Sequence, residues 1–183
     1  MTHTQPTLQT ERLTLRAFEL ADAPHVRRMA GDWEVANTTL SIPHPYPDGA
    51  AETWIATHAG LYESCKGVIF AITNRAHGAL VGAVGLSVTT LHAHGELGYW
   101  IARPEWGKGF ATEASRALMA YGFETLALNR IEAVHMTRNA ASGRVLVKLG
   151  MRHEGVHREA LRRAGVFEDV ARYAILRAEW VTG

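Results

Sequence analysis

Two glycines, a lysine and the helical pattern that follows them carry the clearest chemistry in this chain. Trp106-Gly107-Lys108-Gly109-Phe110-Ala111-Thr112-Glu113 runs into a segment where Phe110, Ala114, Ala117, Leu118 and Tyr121 recur on one helical face. The first N–H groups of a helix have no internal partner and carry the positive end of its dipole. Gly107 and Gly109 add no Cβ, so a phosphate can sit close against the main chain. The same residues also suit a plain tight connection. They are not a dinucleotide fingerprint, since the third glycine and the acidic residue at the right remove are missing. Nor are they a Walker loop, because no Gly-Lys-Ser/Thr follows.

Other reactive residue types make weaker cases. Ten histidines, His92 and His94 among them, raise the question of a metal, but no clustered carboxylate or cysteine completes a site, and none is expected. Cys65 has no histidine partner in a recognisable setting and is not expected to act as a nucleophile. Arg158, Arg162 and Arg163 form a basic cluster that is either a solvated turn or a contact for an acidic acceptor or a phosphate.

The elements that must position the turn follow from pattern. Glu96-Leu97-Gly98-Tyr99-Trp100-Ile101 reads as a strand that Arg103-Pro104-Glu105 ends. Ile131 to Arg138 is a second strand, leading into Asn139-Ala140-Ala141-Ser142 and a helix with Val145, Leu146 and Leu149 inside, stopped by Gly150. A helix joins these strands, so they should run parallel. Upstream, residues 1–9 read as a frayed start, and Arg12 to Arg16 as a strand. Asp22 suits the cap of a helix with Val26, Met29 and Ala30 inside. A stretch from Trp33 to Asp48 with three prolines reads as loop, and a helix runs from Asp48 to about Lys66. Gly67–Thr73 and Ala79–Thr89 form a hairpin, in which Gly82 and Gly85 mark a bulge or close packing. Met151–Leu161 and Val166–Arg177 form the last hairpin.

The chain has 183 residues, enough for one domain with a real core, expected to span 1–183. Nearly half the residues are apolar and the net charge is +1, which offers no strong field for nucleic acid or an anionic membrane. No apolar run approaches the ~20 residues of a membrane span. The start lacks the regions of a signal peptide, and a single cysteine suits a reducing compartment. A cytoplasmic protein is the expectation.

The order strand, Trp-Gly-Lys-Gly-Phe-Ala-Thr-Glu-Ala, helix, strand, Asn-x-x-Ser, helix, Lys-Leu-Gly-Met resembles the acetyl-CoA-binding core of the GNAT superfamily of N-acetyltransferases. It resembles in particular the branch containing the ribosomal-protein N-terminal acetyltransferases (RimJ/RimL-like). Thr10-Glu11-Arg12-Leu13-Thr14-Leu15-Arg16 and Ile42-Pro43-His44-Pro45-Tyr46 match that branch as well. Trp106 departs from the Gln or Arg that often opens the loop in the superfamily. The resemblance implies an α+β GNAT fold: a mixed, mostly antiparallel sheet of about seven strands, helices on both faces, and a central parallel pair that splays at a bulge.

In such a fold the pantetheine arm of acetyl-CoA lies in the gap like an added strand. The pyrophosphate rests on the N–H groups of Gly107, Lys108, Gly109, Phe110 and Ala111, with Lys108 adding charge, and Trp106 and Thr112 complete the cofactor contacts. The thioester points toward Tyr99, Trp100 and Ile101, where a backbone N–H stabilises the oxyanion. Asn139 and Ser142 border the same site. The resemblance gives Glu96 the part of a base acting through water, against its reading as a solvated strand-end carboxylate. It gives Ser142 the part of proton donor to the leaving sulfur, while Asn139 also suits a plain helix cap. The branch's proposed glutamate base falls at Leu161, with Glu159 two residues earlier on the same face of a regular strand. Acceptor recognition falls to the early helices, where Trp33, Tyr46 and Trp54 either line a pocket or fill the core. The leading expectation is acetyl transfer from acetyl-CoA, without a metal, to a primary amine that attacks directly, the acceptor being a protein N-terminus or a small molecule. An inactive acyl-CoA-binding regulator and an interaction domain are the other classes. A homodimer is common in the branch.

Overall fold

The structure, a computed structural model, describes residues 4–180. In chain order it contains β1 (Leu8–Gln9), β2 (Leu13–Arg16), α1 (Ala23–Ala30), α2 (Trp33–Ala36), α3 (Ala50–Glu63), β3 (Gly67–Asn74), β4 (Leu80–Thr89) and β5 (His94–Ile101). Then come α4 (Phe110–Glu124), β6 (Arg130–Met136), α5 (Ala140–Lys148), β7 (Arg152–Arg163) and β8 (Val166–Leu176). The strands form one mixed sheet in the order β1-β2-β3-β4-β5-β6-β8-β7.

Alternation along the central strands decides what covers them. Val68, Phe70 and Ile72 of β3, Val84 and Leu86 of β4, and Leu97 and Ile101 of β5 are buried on one face. Ala71, Ala83 and Trp100 of the same strands are buried on the other. A strand apolar at both parities needs cover on both sides. Phe110, Ala114 and Leu118 of α4 with Leu146 of α5 supply it on the first face. Val26 and Ala30 of α1 with Ala51 and Ile55 of α3 supply it on the second. Burying Phe70 or Leu118 contributes about 1.5–3 kcal/mol each, so both layers are firmly seated.

Several expectations need correction. The sheet has eight strands rather than about seven, because Leu8 and Gln9 pair with Leu15 and Thr14 where a frayed start was expected. Gln5 is also tied down, donating to the Ile69 carbonyl at 2.9 Å. Residues 1–3 lie outside the described residues. The proline-rich stretch opens with the short helix α2, capped by Asp32, whose carboxylate accepts from the Glu34 N–H. Asp22 stands at the N-cap of α1 but makes no side-chain capping bond to that helix. Its carboxylate instead takes two Arg16 N–H groups at 2.7 and 2.8 Å and the Glu19 N–H at 2.9 Å. Burial pushes Asp22 up, and these donors outweigh it, holding the carboxyl below its ordinary range. Gly82 lies beside a register shift at Ile72/Thr73, and a Cβ there would meet the Trp100 carbonyl at 2.3 Å, so both readings of that glycine apply.

Candidate active site

The parallel pair β5–β6 is joined at His94↔Arg130, Gly95↔Ile131 and Glu96↔Glu132, and there the pairing ends. Beyond it β5 stays in register with β4 as far as Gly82↔Ile101, and β6 with β8 as far as Met136↔Val170. Each strand is thus held on its outer side and bare on the inner. The expected splay is present, but without a bulge in the β4–β5 ladder. A cleft of about 790 Å³ passes through the sheet at this gap. Tyr99, Trp100 and Ile101 line it, as do Asn139 and Ser142.

At one mouth of the cleft stands the glycine turn. Gly107 has φ +77° and Gly109 φ +83°, the left-handed region that favours glycine, and a Cβ on Gly107 would meet no atom within 4 Å. Gly109 is the N-cap of α4 and offers no side chain, so the leading N–H groups of the helix keep no side-chain cap. Trp106, Gly107, Gly109, Phe110, Ala111 and Thr112 all line the cleft. Lys108 does not. Its ammonium pairs with Glu105 at 2.8 Å, which corrects the expectation that its charge faces the ligand directly. Trp106 has a job its residue type did not announce: its indole N–H donates to the Ile101 carbonyl at 2.7 Å, tying the turn to the end of β5.

The turn is also stapled from a distance. Glu113, in the first turn of α4, accepts from the Thr10 hydroxyl at 2.6 Å, the Arg12 N–H at 2.9 Å and Arg12 Nε at 2.7 Å. The same guanidinium donates to the Lys108 carbonyl at 3.0 Å. Burial pushes Glu113 up, but these donors prevail and hold it below the ordinary carboxylate range. The Thr10–Arg16 segment therefore sets the angle at which the turn meets the cleft.

Groups able to move protons stand on opposite faces of the gap. Glu96 is exposed and lines the cleft on the face it shares with Trp100, the α1/α3 side. Tyr99 packs with the α4/α5 side, where its hydroxyl and Ser142 Oγ are 2.8 Å apart. Burial pushes the Tyr99 hydroxyl up to about 12, with the Ser142 bond pulling the other way. The pair is thus a neutral hydroxyl chain at physiological pH. Asn139 does cap α5, accepting from the Ser142 N–H at 3.2 Å, while its amide donates to the Thr38 carbonyl at 3.1 Å.

That second bond belongs to a set that builds the opposite wall. Arg138 donates to the Asn37 carbonyl at 2.7 Å, and Arg163 to the Ala36 and Ile42 carbonyls at 2.6 and 2.5 Å. Residues 36–42 are held by the far hairpin and the β6–α5 junction, so Arg163 is neither a solvated turn residue nor a free contact. Tyr46 and Trp54 line the cleft on this side. Trp33 does not; it is 48% exposed and tilts over His44. Glu159 fails as a substitute for Leu161, because the β7 register shifts between His157 and Leu161. Glu159 takes φ +51° there, its N–H bound to Asp169.

Three basic or imidazole side chains in the lining, Arg144, Lys148 and His135, were not picked out in the sequence. Arg144 and Lys148 stand four apart on α5, and the spacing of Ala141, Val145 and Lys148 was the available signal for a cleft-facing helix side. His135 lines the cleft with Nδ1 donating to its neighbour's carbonyl at 2.8 Å, which leaves a buried Nε2 without a partner among the described residues. Nothing in the pattern of β6 marks it. No group of three or more metal-ligating side chains occurs among the described residues.

A parted parallel pair opening onto an uncapped helix N-terminus offers bare main-chain donors along a cleft and a seat for an anion at its mouth. Residues 12–152 match the acetyltransferase (GNAT) domain family. The chain belongs to this family, and it is an acetyl-CoA-dependent N-acetyltransferase. It is 34% identical to the uncharacterised N-acetyltransferase YoaA of Bacillus subtilis (strain 168), covering 94% of this chain and 97% of that one. It is 29% identical to the [ribosomal protein uS5]-alanine N-acetyltransferase of Escherichia coli (strain K12), over 96% of this chain and 93% of the relative. The crystal structure of a probable acetyltransferase superposes with a TM-score of 0.85 at 29% identity, covering 95% and 98% of the two chains.

Proposed function

We propose that the chain transfers the acetyl group directly to a primary amine bound in the same cleft, without a covalent enzyme intermediate. The observation that carries this reading is that β5–β6 pairing ends at Glu96↔Glu132 and the resulting cleft contains both the glycine turn and the apolar wall at Tyr46 and Trp54. One ligand can enter from each side and meet within the sheet. The diphosphate of acetyl-CoA lies against the leading N–H groups of α4, with Arg144 and Lys148 within reach of its phosphates.

The amine reaches the thioester carbonyl from the α1/α3 face. Its nitrogen forms the C–N bond, loses a proton through water to Glu96, and the C–S bond breaks. The sulfur leaves toward the other face, where Ser142 supplies its proton and is replenished from Tyr99. Bare N–H groups of β5 stabilise the oxyanion. Residues 1–183 act as one domain on this reading, and an exposed, unpaired Cys65 suits the cytoplasm.

The test follows free thiol release from acetyl-CoA over a panel of amines, with thermal stability measured in parallel. Stabilisation by CoA and amine-dependent thiol release support the reading. Stabilisation without release for any amine makes the chain a CoA-binding regulator instead. A ligand in excess by about a thousandfold over its dissociation constant should add about 4 kcal/mol, so the absence of any shift is a clear negative.

A further inference from the structure

The acceptor half of the cleft has two paired glycines in its floor, and only one of them is required by packing: a Cβ on Gly85 would meet Ile69 and the Val68 carbonyl at 3.1 Å, while Gly98 has free space. Gly98 lies in the interior of β5, paired with Gly85 of β4. Its φ is outside the left-handed range, and a Cβ there would meet no atom within 4 Å. The contrast with other strand and helix glycines is sharp. A Cβ on Gly82 would meet the Trp100 carbonyl at 2.3 Å, on Gly95 a Leu128 methyl at 2.8 Å, and on Gly122 side chains at 3.0 Å. Those three are glycine because the protein fills the space. Gly98 is glycine beside an open cleft, although glycine weakens a strand.

Alternation fixes what shares its face. Glu96 and Trp100 flank Gly98 on β5, and their partners Ser87 and Ala83 flank Gly85 on β4. Val26, Ile42, Tyr46 and Trp54 close the space above. On this half Glu96 is the one lining residue with a formal charge among the described residues. The other such residues, Glu105, Arg144 and Lys148, stand on the turn before α4 and on α5. The acceptor space is therefore a mainly apolar slot with bare main chain at Gly98, hydroxyls at Thr38, Thr39, Ser41 and Ser87 on its rim, and one carboxylate at its end.

We propose that this slot takes a primary amine carried on a flat apolar body, an arylalkylamine, and that Gly98 sets the preference. The inference rests on the acetyl-transfer reading of the cleft. The ammonium head faces Glu96 before it gives up its proton, and the ring lies over Gly85 and Gly98 between Trp100 and Trp54. A second ammonium, as in a polyamine, would sit among Val26, Ile42 and Trp54 with no carboxylate to meet. The carboxylate of a free amino acid would face Glu96 itself, like charge against like.

The experiment measures thiol release from acetyl-CoA with 2-phenylethylamine, methylamine, spermidine, free alanine and a short peptide with an N-terminal alanine. For the intact protein, kcat/KM for 2-phenylethylamine should exceed that for each of the others by about tenfold or more. Gly98→Val should raise KM for 2-phenylethylamine about tenfold, lower its kcat/KM relative to that for methylamine, and keep the thermal shift given by CoA. Gly98→Ala, which adds a single methyl group, should act in the same direction and keeps the test alive if the valine variant does not fold. Preference for spermidine, alanine or the peptide overturns the proposal, as does an unchanged KM in a folded Gly98 variant. If CoA gives the intact protein no thermal shift, the acetyl-transfer reading falls and this proposal with it. A normal shift with the wrong preference removes this proposal alone.

Discussion

On the function proposed above, the two halves of the cleft recognise their ligands by different means. On the cofactor side the contacts are main-chain donors at a turn whose two glycines have positive φ, and side chains serve mainly to aim it: Trp106 on the Ile101 carbonyl, Arg12 on the Lys108 carbonyl, Glu113 holding Arg12. On the acceptor side the walls are side chains on α1, α3 and a loop held by Arg138, Asn139 and Arg163 from elsewhere in the chain. Main-chain recognition depends on a local conformation and resists drift in side-chain identity. Side-chain recognition changes with each substitution in the wall. A single chain can thus keep one ligand fixed and leave the other free to vary.

The sharpest way to break that contrast is to put a side chain on the turn. Gly109→Val should weaken CoA binding at least about a hundredfold, roughly 3 kcal/mol. It forces a β-branched residue to φ +83° and sets a side chain against the Arg12 guanidinium, 3.4 Å from a Cβ at that position, so the turn that offers the N–H groups is disturbed. Calorimetry on a variant with unchanged circular dichroism checks this, and retained affinity would move the diphosphate elsewhere. Ser142→Ala tests the chemistry between the halves. The N–H that Asn139 caps is main chain, so the helix start survives, while kcat should fall about a hundredfold with CoA affinity kept. Tyr99→Phe should cost less, about tenfold in kcat, since water can replace the second hydroxyl. If Ser142→Ala retains full kcat, the sulfur is protonated by another route.

The same division explains what could be read from the sequence. The turn was legible because Gly107, Gly109 and the 3.6-residue pattern after them are local signals, and the parallel pair followed from one helix between two strands. The loss of pairing after Glu96 leaves no local mark; it came only with the family resemblance, which supplied a bulge that the β4–β5 register does not have. Trp33 was grouped with Tyr46 and Trp54 on residue type, yet contacts from more than a hundred residues away, such as Arg163 on Ala36, help decide where that loop goes. The regular-strand assumption behind Glu159 failed for the same kind of reason, a register shift invisible in alternation.

Glu96→Gln sharpens the acceptor side. The carboxylate is exposed and, on the proposed mechanism, acts through water, so its loss should lower kcat/KM about tenfold near neutral pH and leave the thermal shift given by CoA unchanged. Removing a base should also make the reaction more dependent on the fraction of amine already deprotonated, so the deficit should shrink as pH rises toward the amine pKa. A pH-independent deficit would make Glu96 a binding group rather than a base.

The smallest effect belongs to the staple behind the turn. Glu113→Gln keeps one acceptor oxygen but loses the charge that meets Arg12, whose side chain is 46% exposed. The cost should be about 1 kcal/mol, a melting shift of about 2–4 °C for a chain of this size. CoA affinity should weaken a few fold, because the Lys108 carbonyl loses the oriented guanidinium that fixes the turn. The folded-state pKa of Glu113 is depressed below the unfolded value, so its contribution is full above the ordinary glutamate pKa and is lost as pH falls through the lower, folded value. The gap in melting temperature between Glu113→Gln and the unaltered protein should therefore be widest above the ordinary glutamate range and close as pH falls through the lower, folded value. A gap that persists unchanged into acid would mean that the Thr10 hydroxyl and the Arg12 N–H hold the carboxyl group by neutral hydrogen bonds, and that the cofactor half is aimed by shape rather than by charge.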